Sequence, residues 1–297
     1  MTDWNGTVGI AGPGRMGGGF ARRLLAEGVP VVVLPGPRRS AVEDLAALGA
    51  RIVATAAELA AASDLVMTAL PSSDEVAAMA QGLRAGARPG LVHVDLTTGD
   101  PATTLAIAAG HEDAGLGFVD AGVSGTPEHA ATGQAVLCLG GDPDLLARLD
   151  PLFARIARRR VRMGDVGAGH TAKVIMGFVG MAMATGIAEA LTIARARGID
   201  LEGIRSVVGE TTMDSGTFQA MAMAAMDGDT GRRKLAIATA HKDVGCLLRI
   251  AAAAGVEARV GEATRAVLGR ATAAGHGADF VPALTAILSA LDGVSDA

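Results

Sequence analysis

Short apolar runs alternate with longer helical ones through the first half of the chain. Thr7 to Ala11 reads as a buried strand, and Phe20 to Ala26 lies within a helix. Val31 to Leu34 is short and β-branched, and Val42 to Leu48 is helical again. Arg51 to Val53, Leu65 to Leu70, Leu91 to Asp95, Gly117 to Ala121 and Ala135 to Leu139 continue the strand series. Ala-rich helical segments separate most of them, ending with Leu145 to Ala157, and Arg158-Arg159-Arg160 reads as a solvated helix end. Continuous apolar strands alternating with helices predict a parallel sheet covered on both faces, a doubly wound α/β fold.

The rhythm changes after Met163. Strand-like runs give way to long Ala/Met/Leu segments, and Gly169 to Arg197 reads as one long helix. Between Lys173 and Glu189 it is apolar on every side, which predicts burial all round. An all-helical domain follows, broken near Gly198, Gly228 to Gly231, Gly255 and Gly275 to Gly277. The expected division is a dinucleotide-binding Rossmann domain over 1–163 and an all-α substrate and dimerisation domain over 164–297. So long a buried helix also points to a partner subunit over part of it, hence a homo-oligomer, dimer or tetramer.

Composition narrows the function classes. The 297 residues carry a net charge of −5, with six Phe, one Trp and no Tyr. That leaves neither a basic surface nor stacking aromatics for nucleic acid. Cys138 and Cys246 stand far apart, without a second Cys or a His at metal-ligand spacing, so reduced thiols are expected and no metal. The stretch between Lys173 and Glu189 is shorter than the roughly 20 residues of a membrane-spanning helix, and the start lacks a secretory pattern. A cytoplasmic protein acting on a small molecule fits best.

Gly12-Pro13-Gly14-Arg15-Met16-Gly17 fits G-x-G-x-x-G, directly after the first strand and opening the first helix. Its glycines permit a tight turn, close approach to a pyrophosphate, and close helix–strand packing, while the helix start presents free N–H groups. An NAD-selective site places an acidic residue near the end of the second strand. No acidic residue lies between Glu27 and Glu43, and the chain offers Pro35-Gly36-Pro37-Arg38-Arg39-Ser40 there. Arg38 and Arg39 either pair with a 2′-phosphate or are two solvated arginines in a turn. NADP(H) is preferred, with NAD(H) as the alternative.

Four ordered segments resemble the β-hydroxyacid dehydrogenase family, which includes 3-hydroxyisobutyrate dehydrogenase and tartronate semialdehyde reductase. They are Gly9 to Gly17, Asp120-Ala121-Gly122-Val123-Ser124-Gly125-Thr126, the run Gly164 to Lys173 matching G-x-x-G-x-G-x-x-x-K, and Lys242-Asp243-Val244-Gly245. The resemblance covers about Thr7 to Leu288. It implies Lys173 as the acid–base residue, Ser124, Gly125 and Thr126 along the substrate, and Leu70, Pro71, Thr98 and Lys242 on the nicotinamide side. It also implies a site in the cleft between the domains, with a closing motion.

Elementary chemistry agrees. Reducing a carbonyl by hydride transfer leaves an alkoxide that needs a proton, and a partly dried lysine can supply it. A lysine snorkelling from a helix end is the bland alternative. Ser124 and Gly125 either hold a carboxylate or form a mere turn, and Lys242 is either a site group or a surface charge. The scattered His93, His111, His129, His170, His241 and His276 show no triad or metal spacing and read as structural or exposed.

Three positions depart from the family pattern. Gly177 stands where the family has asparagine, Gly122 where it has proline and Thr126 where it has glycine. The substrate assignment suffers most. The rival readings are an imine reductase on the same scaffold and a non-catalytic cofactor-binding protein.

Overall fold

The computed structural model describes residues 4–36 and 39–294, with side chains for all of these except 39–41. The chain divides into two compact units, Met1–Lys173 and Val174–Ala297.

The first unit is built on eight strands: β1 Val8–Ala11, β2 Val31–Leu34, β3 Arg51–Ile52, β4 Leu65–Thr68, β5 Val92–Asp95, β6 Gly117–Ser124, β7 Ala135–Gly140 and β8 Ala157–Gly164. They form one sheet in the order β3-β2-β1-β4-β5-β6-β7-β8. From β3 to β6 every pairing is parallel. Alternate residues serve opposite faces, so Val31 and Val33 join one buried cluster and Val32 another. Leu65 and Met67 divide from Val66 in the same way. Helices α1 Arg15–Ala26 and α7 Pro143–Ile156 cover the first face with Phe20, Leu24, Leu149 and Phe153. Helices α3 Ala56–Ala61 and α4 Ser73–Gly86 cover the other with Leu59 and Leu83.

Two features correct the expectation of a purely parallel sheet ending in a helix. Strand β7 runs antiparallel to β6, with Gly122 opposite Cys138. Arg158, Arg159 and Arg160 belong to β8, parallel to β7, and not to a helix end. The sheet edge explains so polar a strand. With one side unpaired, its residues are free to be charged, and charge discourages pairing with another chain. Arg160 grips Asp150 of α7 at 2.9 and 3.3 Å.

Helix α8, Ala168–Ala196, starts in the first unit and ends in the second. By length and composition alone it is apolar enough to cross a membrane, and only 33% of its most apolar window is buried. The expectation of burial all round is therefore corrected. Met181, Ala184 and Ala188 enter the second unit's core, whereas Ile175, Met176, Val179 and Met183 stay exposed. That core also takes Met221 of α10 (Gly216–Asp227), Ile237 and Val244 of α11 (Ile237–Ala253), and Leu268 of α12 (Arg259–Ala271). Leu284 and Leu288 of α13 (Leu284–Leu291) complete it.

Candidate active site

The glycine loop connects β1 to α1. Gly12 has φ +81°, and a Cβ there would lie 2.4 Å from the Ala69 carbonyl oxygen. A Cβ on Gly17 would lie 2.3 Å from the Gly12 oxygen, whereas one on Gly14 would meet nothing within 4 Å. Helix and strand thus close on each other at Gly12 and Gly17, and the loop opens outward at Gly14. Side chains of Thr55, Ser72 and Asp142 cap α3, α4 and α7. Helix α1 has no capping side chain and no acidic residue in its first turn. Its first N–H groups remain available, and with Gly14 open they fit the pyrophosphate of a dinucleotide. Arg15 is exposed and Met16 half-buried behind them, while Pro13 is buried.

The loops after β4 and β5 carry Leu70, Pro71 and Thr98. They are held by buried polar groups that sequence reasoning had read as structural or passed over. Leu70 N–H donates to Thr97 Oγ1 at 3.1 Å, and Thr97 N–H donates to Asp95 Oδ1 at 3.0 Å. Thr68 Oγ1 also donates to Asp95 Oδ1, at 2.8 Å, so its oxygen must accept from His93 Nε2 at 2.9 Å. His93 Nδ1 is then an acceptor for His111 Nε2–H at 2.9 Å, and Arg84 caps the chain on His111 Nδ1 at 3.4 Å. Burial and the Arg84 charge lower the His111 pKa to about 4. Burial, His111, His170 and Arg84 together push His93 well below its ordinary value. Both rings are neutral at pH 7, as the single direction of donation requires.

Lys173 stands in the second turn of α8, whose start is clamped to the sheet. Asp120 of β6 is fully buried, and its two oxygens accept from Gly167 N–H and His170 N–H, both at 2.7 Å. A carboxylate there satisfies open donors and complements the positive helix end. The His170 ring donates from Nε2 to the Asp95 carbonyl at 3.1 Å and meets Thr104 Oγ1 at 2.8 Å through Nδ1. Helix and sheet touch through glycine. A Cβ on Gly169 would lie 2.4 Å from the Cys138 oxygen, and one on Gly122 would lie 2.6 Å from Lys173 Cβ. The Lys173 side chain is half-buried. Burial raises the Cys138 thiol pKa, against a pull downward from the nearby Lys173 ammonium.

Ser124 ends β6 two residues beyond Gly122, so it faces the same side of the strand as Lys173. Gly125 follows at φ +149° and is exposed. Thr126 is engaged locally: it caps helix α6 (Pro127–Ala131), accepting from His129 N–H at 3.3 Å while its own N–H donates to His129 Nδ1. Lys242 is an exposed residue of α11, 3.3 Å from Asp243 Oδ1. Arg38 lies outside the described residues, as does the side chain of Arg39. Among the described residues no cluster of His, Cys, Asp and Glu forms a metal site.

The NAD binding domain of 6-phosphogluconate dehydrogenase matches residues 7–166. The NAD-binding domain of NADP-dependent 3-hydroxyisobutyrate dehydrogenase matches residues 167–287. The chain belongs to the β-hydroxyacid dehydrogenase family. Like other β-hydroxyacid dehydrogenases it is an oxidoreductase that takes a nicotinamide cofactor. It is 30% identical over 246 residues to 2-(hydroxymethyl)glutarate dehydrogenase of Eubacterium barkeri, covering 81% of each chain. The solved 3-hydroxyisobutyrate dehydrogenase of Mycobacterium tuberculosis with L-serine superposes with a TM-score of 0.86 at 26% identity, over 96% of this chain and 99% of that one. An imine reductase variant from Myxococcus stipitatus with NAD+ shares the fold at a TM-score of 0.66 and 22% identity, over 96% of this chain and 100% of that one.

Proposed function

We propose that this dehydrogenase interconverts a small 3-hydroxy acid and its semialdehyde, with Lys173 as the proton acceptor and donor at the reacting oxygen. One observation carries the reading. Lys173 and Ser124 share one side of β6, where the Asp120 clamp and the bare Gly122 fix the start of α8. The bound nicotinamide supplies the hydride acceptor or donor. Lys173 takes the hydroxyl proton during oxidation and returns it during reduction. Ser124 and the backbone at Gly125 orient the substrate carboxylate, and Thr126 holds that loop through its cap. The α1 start carries the pyrophosphate, and Leu70, Pro71, Thr98 and Lys242 serve the nicotinamide side.

NADP(H) is the preferred form in this reading, because the sequence just after β2 offers Arg38 and Arg39 and no carboxylate. Two buried cysteines, Cys138 and Cys246, suit a reducing cytoplasm. The exposed apolar face of α8 is read as a subunit contact, giving a dimer or tetramer.

Turnover with NADPH and NADH against short semialdehydes, hydroxy acids and cyclic imines tests the assignment, with Lys173→Ala alongside. The expected result is semialdehyde reduction that falls at least about 100-fold in kcat with the variant. Equal rates for variant and parent would remove Lys173 from the chemistry. Turnover of imines alone would move the chain to the imine reductases. Cofactor binding without any turnover would make it a binding protein.

A further inference from the structure

In a doubly wound sheet a dinucleotide lies beyond the carboxyl ends of the strands, where the strand order reverses, here at β1 and β4. The pairing of β4 with β5 ends at Thr68 and Asp95. Past that point side chains join the two loops. Leu70 N–H donates to Thr97 Oγ1, Thr97 N–H donates to Asp95 Oδ1, and Asp100 N–H donates to Ser73 Oγ at 2.7 Å. The Asp95 backbone is held separately, its carbonyl accepting from His170 Nε2. The direction of its carboxylate is set from elsewhere.

Thr68, His93, Asp95 and His111 are all buried and stand in series. A guanidinium only donates, so Arg84, which lies against Gly110, makes His111 Nδ1 an acceptor and leaves the ring hydrogen on Nε2. His111 then donates to His93 Nδ1, His93 Nε2 to Thr68 Oγ1, and Thr68 to Asp95 Oδ1. Every bond runs the same way, from a fixed cation to a carboxylate. The charged ends polarise the neutral links, and buried hydrogen bonds in series reinforce one another. The Phe118 ring packs on both imidazoles, its centroid 5.2 Å from His93 and 5.8 Å from His111. Apolar side chains at 93 and 111 would fill this core at lower cost. The polar series instead gives one oxygen of Asp95 a single orientation.

We propose that His93 and His111 are positioning residues for hydride transfer: with Thr68 they orient Asp95, which through Thr97 sets the Leu70 peptide against the nicotinamide ring. The inference rests on the reading of the loops after β4 and β5 as the nicotinamide side. Neither histidine touches the cofactor. Among the described residues the series makes no hydrogen bond to the glycine loop. Its effect is therefore confined to the nicotinamide end, and the nucleotide half is bound without it.

The test uses the full chain with NADPH and NADH, and with their nicotinamide-free fragments 2′-phospho-ADP-ribose and ADP-ribose. Calorimetry of the fragments reports the nucleotide half, and emission from the bound dihydronicotinamide reports the ring. Wild type is expected to shift that emission on binding. His93→Phe, His111→Phe and Thr68→Val should each lose most of the shift, and their kcat with the semialdehyde substrate should fall about 10-fold. Fragment affinity should stay within about twofold in all three. His111→Gln keeps a neutral acceptor and donor and should retain the wild-type emission. An emission shift unaltered by His93→Phe and Thr68→Val overturns the inference. Fragment affinity that falls in step with the emission overturns it too, because general destabilisation then explains both. So does an equal loss in His111→Gln and His111→Phe. Wild type that binds the dinucleotides with no change of emission overturns the assignment of the two loops, and the inference with it.

Discussion

Gly122 has no side chain, and that absence decides where Lys173 stands. As a departure from the family's proline it reads in the sequence as a change to the substrate loop. Its physical reason is a contact across 51 positions of chain, because a methyl group there would collide with Lys173 Cβ at 2.6 Å. Gly122→Ala is therefore expected to keep its far-UV circular dichroism and cofactor binding while kcat falls about 100-fold, the cost of an ångström-scale displacement. Asp120 was legible as part of a motif, but its task was not, since its partners Gly167 and His170 are distant in sequence. A separate residue-scale prediction concerns Thr285 and Ser289, whose buried hydroxyl oxygens have no hydrogen-bond partner among the described residues. Thr285→Val removes an unsatisfied polar atom with little change of shape and should raise stability by about 1 kcal/mol in chemical denaturation. A loss of stability would mean that the hydroxyl is satisfied in solution.

Among the elements, the regular βα repeats were readable because most strands from β1 to β6 are apolar and flanked by helix. The last two strands were not readable as such. Helix α6 between β6 and β7 imitates a crossover between parallel strands, yet β7 returns antiparallel, and the arginines of β8 carry no apolar signal at a sheet edge. The histidines escaped for another reason: their hydrogen bonds join β4, β5 and α5 (Pro101–Glu112), and no local spacing reveals that. They carry a pH prediction. His111 is neutral when folded, with a pKa of about 4, and binds a proton near 6.5 when unfolded. The unfolded state thus binds more protons between those values, so stability is full above pH 6.5 and is lost as pH falls through about 4. Denaturation midpoints measured from pH 7.5 to 4.5 should decline in wild type and decline less in His111→Gln. Parallel declines would exclude His111 as the source.

At the scale of the whole molecule, the length of α8 was legible and its surroundings were not. Apolar composition on every side is compatible with burial by this chain or by a second one, and sequence periodicity cannot distinguish them. Ile175, Met176, Val179 and Met183 form an exposed apolar stripe on that helix. Val179→Glu should lower the molar mass found by light scattering, if this stripe joins subunits as proposed. An unchanged mass would place the contact elsewhere.

The bare beginning of α1 has a consequence for handling the protein. Uncapped amide groups at the start of α1 make the ligand-free chain the weaker form, and a nucleotide satisfies them as a capping side chain would. At about 100 times its dissociation constant, a dinucleotide should add roughly 2.7 kcal/mol to unfolding. Preparations stripped of it should therefore melt sooner and be cut more readily by proteases than those kept saturated during purification.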